Sequence, residues 1–124
     1  MLKQLSIYAE NKKGALQAMT NALYEAGINI WGSVTNDGAE YGINRMVVSD
    51  PDKAKEVLTE KGYLCRFVDV LAVEIEDKPG ALNTLLTALL DSNVNVDYTY
   101  LSFNRDSSTP VSYTHLRAHE TTLH

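Results

Sequence analysis

The sequence predicts an α+β fold with the element order βαββαβ, in which two helices cover one face of an antiparallel sheet. Two observations support this prediction. Apolar residues alternate along short segments, as on half-buried strands, and between these segments they recur at helical spacing. In addition, residues 10–16, Glu-Asn-Lys-Lys-Gly-Ala-Leu, return as residues 76–82, Glu-Asp-Lys-Pro-Gly-Ala-Leu, so Glu76 lies 66 residues after Glu10 and the plan begins a second time.

The first copy begins with a strand and an amphipathic helix. Leu5, Ile7 and Ala9 alternate with polar or mixed residues, as on a strand with one buried face, and the Asn-Lys-Lys-Gly segment that follows predicts a turn. From Ala15 onward, leucine, methionine and alanine recur at helical spacing. Gly27 stands where a left-handed helix end is expected, so we predict a short helix between these two residues.

A hairpin follows this helix. Residues 28–34 and 42–49 are typical of two strands, and the Asn-Asp-Gly sequence at 36–38 predicts the turn between them.

A second helix and a fourth strand complete the first copy. Asp50 can cap exposed amides and Pro51 suits the first helical position, where no amide is required, so a helix should begin here. Gly62 ends it, and residues 63–67 supply the strand. Residues 1–67 thus have the ferredoxin-like arrangement. Residues 68–109 repeat only its first strand, helix and strand, so we predict a complete first domain and a truncated second one.

The C-terminal segment resembles foreign sequence. Residues 111–121, Val-Ser-Tyr-Thr-His-Leu-Arg-Ala-His-Glu-Thr, look like the in-frame translation of a sequencing-library adapter, so we exclude residues 110–124 from the fold prediction. His115, His119 and His124, the three histidines of the chain, all lie there, and the i, i+4 spacing of the first two therefore indicates no metal site. A genuine terminus is the alternative. In the adapter interpretation the natural sequence continues differently after about Thr109.

Composition excludes several classes of function. A net charge of -5 and scattered lysines oppose nucleic-acid binding. The single cysteine, Cys65, can form no internal disulfide and no cysteine-based metal site, and we interpret it as a packing residue beside Phe67. The chain has no apolar run long enough to span a membrane and no secretory signal, so we expect a cytoplasmic protein without metal or cofactor.

The repeated motif carries a family resemblance. A Lys/Pro-Gly-Ala-Leu turn that opens a helix, preceded by an acidic or amide residue, and a helix that ends in Ala-Gly-Ile-Asn-Ile resemble the signature of the ACT domain. The likeness covers about residues 1–105, and residues 68–79 resemble the junction in small stand-alone bacterial proteins made of two ACT domains. The resemblance implies a regulatory protein that binds amino acids or similar metabolites, forms homodimers and catalyses no reaction.

The resemblance also implies where the ligand binds. In this family, ligands bind where the loop after the first strand of one domain meets a strand and a helix of a neighbour. Glycine lets a ligand approach the backbone, the first amides of a helix suit a carboxylate, and polar side chains suit an ammonium group. We expect the alanines after the loop glycines to expose these amides. The predicted site residues are Asn11, Gly14, Ala15, Asn29, Ile30, Asp77, Pro79, Gly80, Ala81 and Asn95.

Each of these residues also has a purely structural interpretation. The loop glycines suit tight turns, the asparagines at the strand starts can bond to local backbone, and the polar residues on the loops can cap helices. Trp31 could stack on a ligand, although a large aromatic at a strand start more often packs or forms a dimer contact. Its counterpart is Asp97, so the two predicted sites are not equivalent.

Other functions on this fold lack the necessary residues. An acylphosphatase-like enzyme needs an anion loop with an arginine, whereas Arg45 and Arg66 fall within predicted strands. An RNA-binding sheet needs exposed aromatics in basic surroundings, and a metal chaperone needs two thiols near the first strand. Four tyrosines are not arranged for RNA binding: Tyr41, Tyr63, Tyr98 and Tyr100. A structural pairing module without a ligand remains the main alternative.

Overall fold

The computed structural model describes residues 2–10, 12–37, 41–103 and 110–118. The chain divides into two compact units. The first unit is Lys3–Val68, and the second begins at Asp69 and also takes in Leu2. His119, His124 and Thr109 lie outside the described residues.

The first unit has the predicted order of elements. Its strands assemble in the order β2, β3, β1, β4, and the β1/β3 and β2/β3 pairs are antiparallel, which confirms the α+β, ferredoxin-like prediction. The elements are β1 (Leu2–Glu10), α1 (Ala15–Glu25), β2 (Ile30–Asp37), β3 (Tyr41–Val48), α2 (Pro51–Glu60) and β4 (Leu64–Glu74), of which the first half belongs to this unit.

The core of the first unit lies between the sheet and the two helices. Leu5 and Ile7 of β1 stand opposite Met46 and Asn44 of β3, and residues directly opposite in an antiparallel pair point to the same face. All four are buried. The same cluster contains apolar side chains from both helices and the flanking segments: Met19, Ala22, Leu23, Ile28, Ala54, Leu58 and Cys65.

The opposite face of β1 is also buried. Gln4 and Ser6 alternate with the core residues, yet they are 0% and 5% exposed. Their side chains form a long hydrogen bond, in which the Gln4 amide donates to the Ser6 hydroxyl across 3.5 Å. The prediction of a strand with one buried face is therefore wrong for β1, since alternation marks the apolar side but does not reveal whether the polar side is also covered.

Local sequence explains where the helices begin and end. The N–H of Lys53 donates to the Asp50 carboxylate at 3.2 Å, and Pro51 opens α2, as predicted. Gly27 and Gly62 follow α1 and α2 with φ of 73° and 92°, the left-handed conformation that glycine adopts at little cost. In the second unit Asn93, the repeat counterpart of Gly27, follows its helix with φ of 60°.

Two strands are longer than predicted. β2 continues through Asn36 to Asp37, so the hairpin turn does not begin at Asn36. The predicted fourth strand of the first copy and first strand of the second are one continuous strand, β4. The Val-Asp-Val sequence at 68–70 explains this continuity, because it contains neither the glycine nor the proline that commonly ends a strand.

The second unit comprises the latter part of β4, α3 (Ala81–Asp91), β5 (Val94–Phe103) and β6 (Pro110–Ala118). β6 pairs antiparallel with β5 and with the end of β4, so the backbone of 110–118 lies in a sheet although we had excluded it from the fold. Strands pair through backbone groups that every residue except proline carries, so this pairing does not test the origin of the segment. The adapter assignment and the domain bounds 68–109 and 110–124 stay predictions.

The helices of the two units differ in burial. α1 has the buried residues Met19, Ala22 and Leu23, whereas α3 has none. In the described part of the chain, no helix is both long enough and apolar enough to cross a membrane.

Candidate functional site

A closed turn joins β1 to α1. The N–H of Lys12 donates to the carbonyl of Glu10 at 3.0 Å, and the N–H of Ala15 donates to the carbonyl of Lys12 at 3.1 Å. Gly14 has φ of 82° and precedes the helix, and a β-carbon added there would meet no atom within 4 Å. The loop therefore leaves open space above the backbone at Gly14.

The loop between β4 and α3 repeats this geometry. The N–H of Lys78 donates to the carbonyl of Glu76 at 3.0 Å, and the N–H of Ala81 donates to the carbonyl of Lys78 at 3.2 Å. Gly80 has φ of 87° and also has open space around its missing β-carbon. The resemblance between the two sequence copies thus extends to the backbone of both loops.

Each loop carries an exposed ion pair. The Lys12 ammonium lies 3.5 Å from the Glu10 carboxylate, and the Lys78 ammonium lies 2.8 Å from the Glu76 carboxylate. All four side chains are more than half exposed. Such surface pairs contribute little to stability, so the charged groups can change partners at low cost.

A pocket of about 250 Å³ opens beside the first loop, between α1 and the sheet; we call it the first-unit pocket. Its apolar lining consists of Ala9, Ala15, Leu16, Met19 and the backbone of Gly42. Its polar lining consists of Glu10, Lys12, Thr35 and Asn44. The pocket therefore has charged groups at the loop and two neutral polar groups on the sheet.

The neutral polar groups come from the hairpin. Asn44 of β3 stands opposite both Ile7 of β1 and Thr35 of β2, so all three side chains point toward the helices. The Asn44 amide nitrogen donates to the Thr35 hydroxyl at 2.6 Å, and Ser33 lies 3.4 Å from the same amide group. Asn44 is only 3% exposed, so the register of the sheet places a side-chain amide at the edge of the apolar core.

The second loop has an equivalent pocket of about 330 Å³, the second-unit pocket. Five of its residues are repeat counterparts of first-unit pocket residues: Ile75, Glu76, Lys78, Ala81 and Leu85. Thr84 also lines it, but its hydroxyl donates to the carbonyl of Gly80 at 3.0 Å. Both copies of the motif therefore have a pocket at the same place, with the same ion pair at its mouth.

A broad depression adjoins the first-unit pocket. It measures about 810 Å³ and shares Ala9, Glu10, Lys12 and Ala15 with that pocket. Its outer part is formed by tyrosines and the turn after α2, namely Tyr8, Tyr41, Lys61, Gly62, Tyr63 and Leu64, with Ala18 of α1.

The structure brings some of the predicted site residues together. Ala15 and Ala81 line the two pockets, with Gly14 and Gly80 immediately before them. The prediction that these alanines expose their amides is wrong, because both N–H groups donate within the loops. By helix geometry, the N–H groups of the next two residues of each helix are the ones that can donate to a ligand.

The other predicted residues that the structure describes line neither the first-unit nor the second-unit pocket. Asn29 is exposed, and its backbone N–H donates to the Ser49 hydroxyl at 2.9 Å while its carbonyl accepts from the Ser49 N–H. Ile30 packs against the core, and Asn95 is exposed on β5. Asp77 and Pro79 are exposed on the second loop, whereas Asn11 lies outside the described residues.

Of the residues that line the first-unit pocket, the predicted site includes only Ala15, and all four polar ones were missed. Glu10 and Lys12 had a signal, since both recur in the second copy at the same spacing. Thr35 and Asn44 had none, because their position depends on the strand register.

Cys65 lies in the core, as predicted. Burial raises the pKa of the Cys65 thiol, and the positive charge of Lys55 opposes that shift. The described residues contain no group of three or more His, Cys, Asp and Glu side chains that could hold a metal ion.

Comparison with known proteins identifies the family. The family model described as an ACT domain pair matches residues 1–112. The crystal structure of protein BT0572 from Bacteroides thetaiotaomicron is 33% identical, covers 93% of this chain and 78% of that chain, and has a TM-score of 0.85. No curated protein matches the sequence.

More distant structures share the fold. The regulatory subunit of aspartate kinase from Thermus thermophilus, in its ligand-free form, is 14% identical, covers 90% of this chain and 80% of that chain, and has a TM-score of 0.69. The same subunit from Thermus flavus is 18% identical, covers 92% of this chain and 83% of that chain, and has a TM-score of 0.62. With the family match over most of its length and the repeated loop geometry, the chain belongs to the family of ACT domain pairs.

Proposed function

We propose that the chain is a regulatory sensor that binds a free amino acid, or a closely related metabolite, beside each of the two loops and catalyses no reaction. The observation that carries the proposal is the duplication of one arrangement: an ion pair, a left-handed glycine and a helix start around a pocket in both units. A loop needed only as a turn requires the glycine but neither the ion pair nor the pocket.

The charges suit a zwitterion. The ligand carboxylate pairs with the Lys12 ammonium and with open amides at the start of α1, while the ligand ammonium pairs with the Glu10 carboxylate. The apolar lining formed by Leu16 and Met19 accepts the ligand side chain. Because both charges are already present at the loop, the ligand replaces one ion pair with two and leaves no charge uncompensated.

A regulatory role needs a change that the ligand favours. A ligand shifts an equilibrium between two arrangements only by its difference in affinity for them, and that difference is the coupling energy. The regulatory subunits of aspartate kinase among the structural neighbours support this role. We also propose that the protein forms a homodimer, because ACT domains commonly pair with one another. We further propose that it is cytoplasmic.

Catalysis is a weaker explanation of the site. A general acid or base must be held within hydrogen-bond reach of the proton that it transfers. The carboxylate of the first-unit pocket, Glu10, is instead 64% exposed and lies beside Lys12.

A thermal-shift panel of the common amino acids on the full chain tests the proposal. A ligand that binds only the folded state raises the unfolding midpoint by mass action, and the stabilisation grows with the logarithm of the ligand concentration once this exceeds the Kd. We expect a dose-dependent rise for at least one amino acid and none for the corresponding amino-acid amide, which lacks the carboxylate. No rise across the panel would favour the structural pairing module instead.

A further inference from the structure

The first-unit pocket has one unusual wall. Asn44 stands among the core residues Ile7 and Met46 and is 3% exposed, yet its side chain is polar and lines the pocket beside the Thr35 hydroxyl. Burying an amide among apolar groups is costly unless its hydrogen bonds are made. The hydrogen bonds at this wall therefore determine what the pocket can accept.

The Asn44–Thr35 pair leaves hydrogen-bonding capacity for a ligand. The Asn44 amide nitrogen donates to the Thr35 oxygen at 2.6 Å, so the Thr35 proton points elsewhere and can be donated. The Asn44 oxygen has only the long 3.4 Å contact with Ser33 in the described structure. If the amide is turned over, Thr35 donates to the Asn44 oxygen instead, and the wall still offers one donor and one acceptor.

The second-unit pocket lacks this pair. In the second unit Leu101 stands opposite Ser112, as Thr35 stands opposite Asn44 in the first, so a leucine and a serine occupy the places of the threonine and the asparagine. The hydroxyl that lines the second-unit pocket, that of Thr84, already donates to the carbonyl of Gly80 at 3.0 Å. The loops of the two copies are thus alike, while the walls opposite them differ.

We infer that Asn44 and Thr35 make the first-unit pocket selective for amino acids whose side chain ends in a neutral hydroxyl or amide. This inference rests on the proposed function and names the ligand class of one of its two sites. An aliphatic side chain of the same shape leaves the donor and acceptor of the wall unpaired, which costs affinity. A charged side chain would be desolvated there without a partner of opposite charge.

Calorimetric titration of the full chain with matched ligands tests the inference. The pairs are threonine with valine and asparagine with leucine, which have similar shapes and differ in polar atoms. We expect the polar member to bind about tenfold more tightly, as one or two hydrogen bonds would give. To isolate the first-unit pocket, the titrated chains carry Lys78→Met, which removes the ammonium group of the second loop, and the chain without substitutions is titrated in parallel.

The variants are Thr35→Val, which keeps the shape and removes the donor, and Thr59→Val on the exposed face of α2 as its control. We expect Thr35→Val to lower the polar-to-aliphatic ratio at least about fivefold while valine and leucine still bind, and the control to leave the ratio unchanged. Equal binding of both members, or a ratio that Thr35→Val does not change, overturns the inference and leaves the proposed function standing. Failure of every ligand to bind the chain without substitutions overturns both.

Discussion

The Asn44 side-chain amide lies 2.6 Å from the Thr35 hydroxyl and links β3 to β2 on the face that the helices cover. Asn44→Ala removes this bond from a buried position, so we expect the unfolding free energy to fall by about 1–3 kcal/mol. Asn21→Ala is the control, because Asn21 is exposed on α1 and bonds only to Glu25, one turn later; it should cost no more than about 0.5 kcal/mol. Urea unfolding measures both, and equal losses would contradict the assigned role of Asn44.

The left-handed glycines of the two loops should tolerate asparagine better than alanine. Gly14 and Gly80 have φ of 82° and 87°, and an added β-carbon would meet no atom within 4 Å. The penalty for Gly14→Ala is therefore one of backbone conformation alone, about 1–2 kcal/mol. Gly14→Asn should cost less, because asparagine adopts this conformation more readily. If urea unfolding shows that asparagine costs more than alanine, steric space and not backbone conformation controls this position.

The Lys12–Glu10 pair should matter for binding and hardly for stability. Both side chains are more than half exposed, so Lys12→Met should change the unfolding free energy by less than about 1 kcal/mol. It should weaken the binding of whichever amino acid raises the unfolding midpoint of the wild type, because the ligand carboxylate loses its cationic partner. Lys3→Met is a matched control, since Lys3 forms an exposed 3.2 Å pair with Asp52 away from the pockets. Equal loss of affinity in both variants would indicate a general charge effect.

Hydrogen exchange should distinguish α3 from α1. α1 buries Met19, Ala22 and Leu23, whereas α3 has no buried residue in the described structure. Local opening costs less where few apolar contacts are lost, so the amides of α3 should exchange faster than those of α1. Mass spectrometry of peptides from the two helices measures this difference. Equal protection would show that α3 is covered by a surface that the single chain does not provide.

Stability should fall at alkaline pH because of Cys65. Burial raises the pKa of this thiol in the folded chain, despite the opposing charge of Lys55. Above its ordinary value of 9.0 the thiol ionises in the unfolded chain while it stays protonated in the folded one. The contribution is thus complete below that value and is lost as the pH rises toward the folded pKa. Urea unfolding from about pH 7 to about pH 10 should show a larger decline for the wild type than for Cys65→Ala.

The element order could be predicted because each signal was local. Asp50 and Pro51 mark the start of α2 through groups within one turn, and Gly27 marks the end of α1 through its own conformation. The continuity of β4 and the burial of Gln4 could not be predicted, because both depend on what packs around a strand. Periodicity reports which face is apolar and not where a strand stops.

The candidate site was predictable in its loops and not in its wall. The repeat identified Gly14 and Ala15, since a turn and a helix start are encoded in consecutive residues. Asn44 and Thr35 come together through the hairpin register, and a shift of one residue would send both to the opposite face. Asn29 and Asn95 were predicted from the resemblance, and neither lines the first-unit or the second-unit pocket.

The separation of loop and wall has an evolutionary consequence. In the proposed function, substitutions on the hairpin of one copy after a duplication can change which metabolite that copy recognises, without disturbing the loop backbone that would bind a zwitterion in both copies. A single gene can then acquire two different inputs by drift in a few strand positions. The regulatory response would then depend on the concentrations of two metabolites, so one small polypeptide could respond to the ratio of two nutrients.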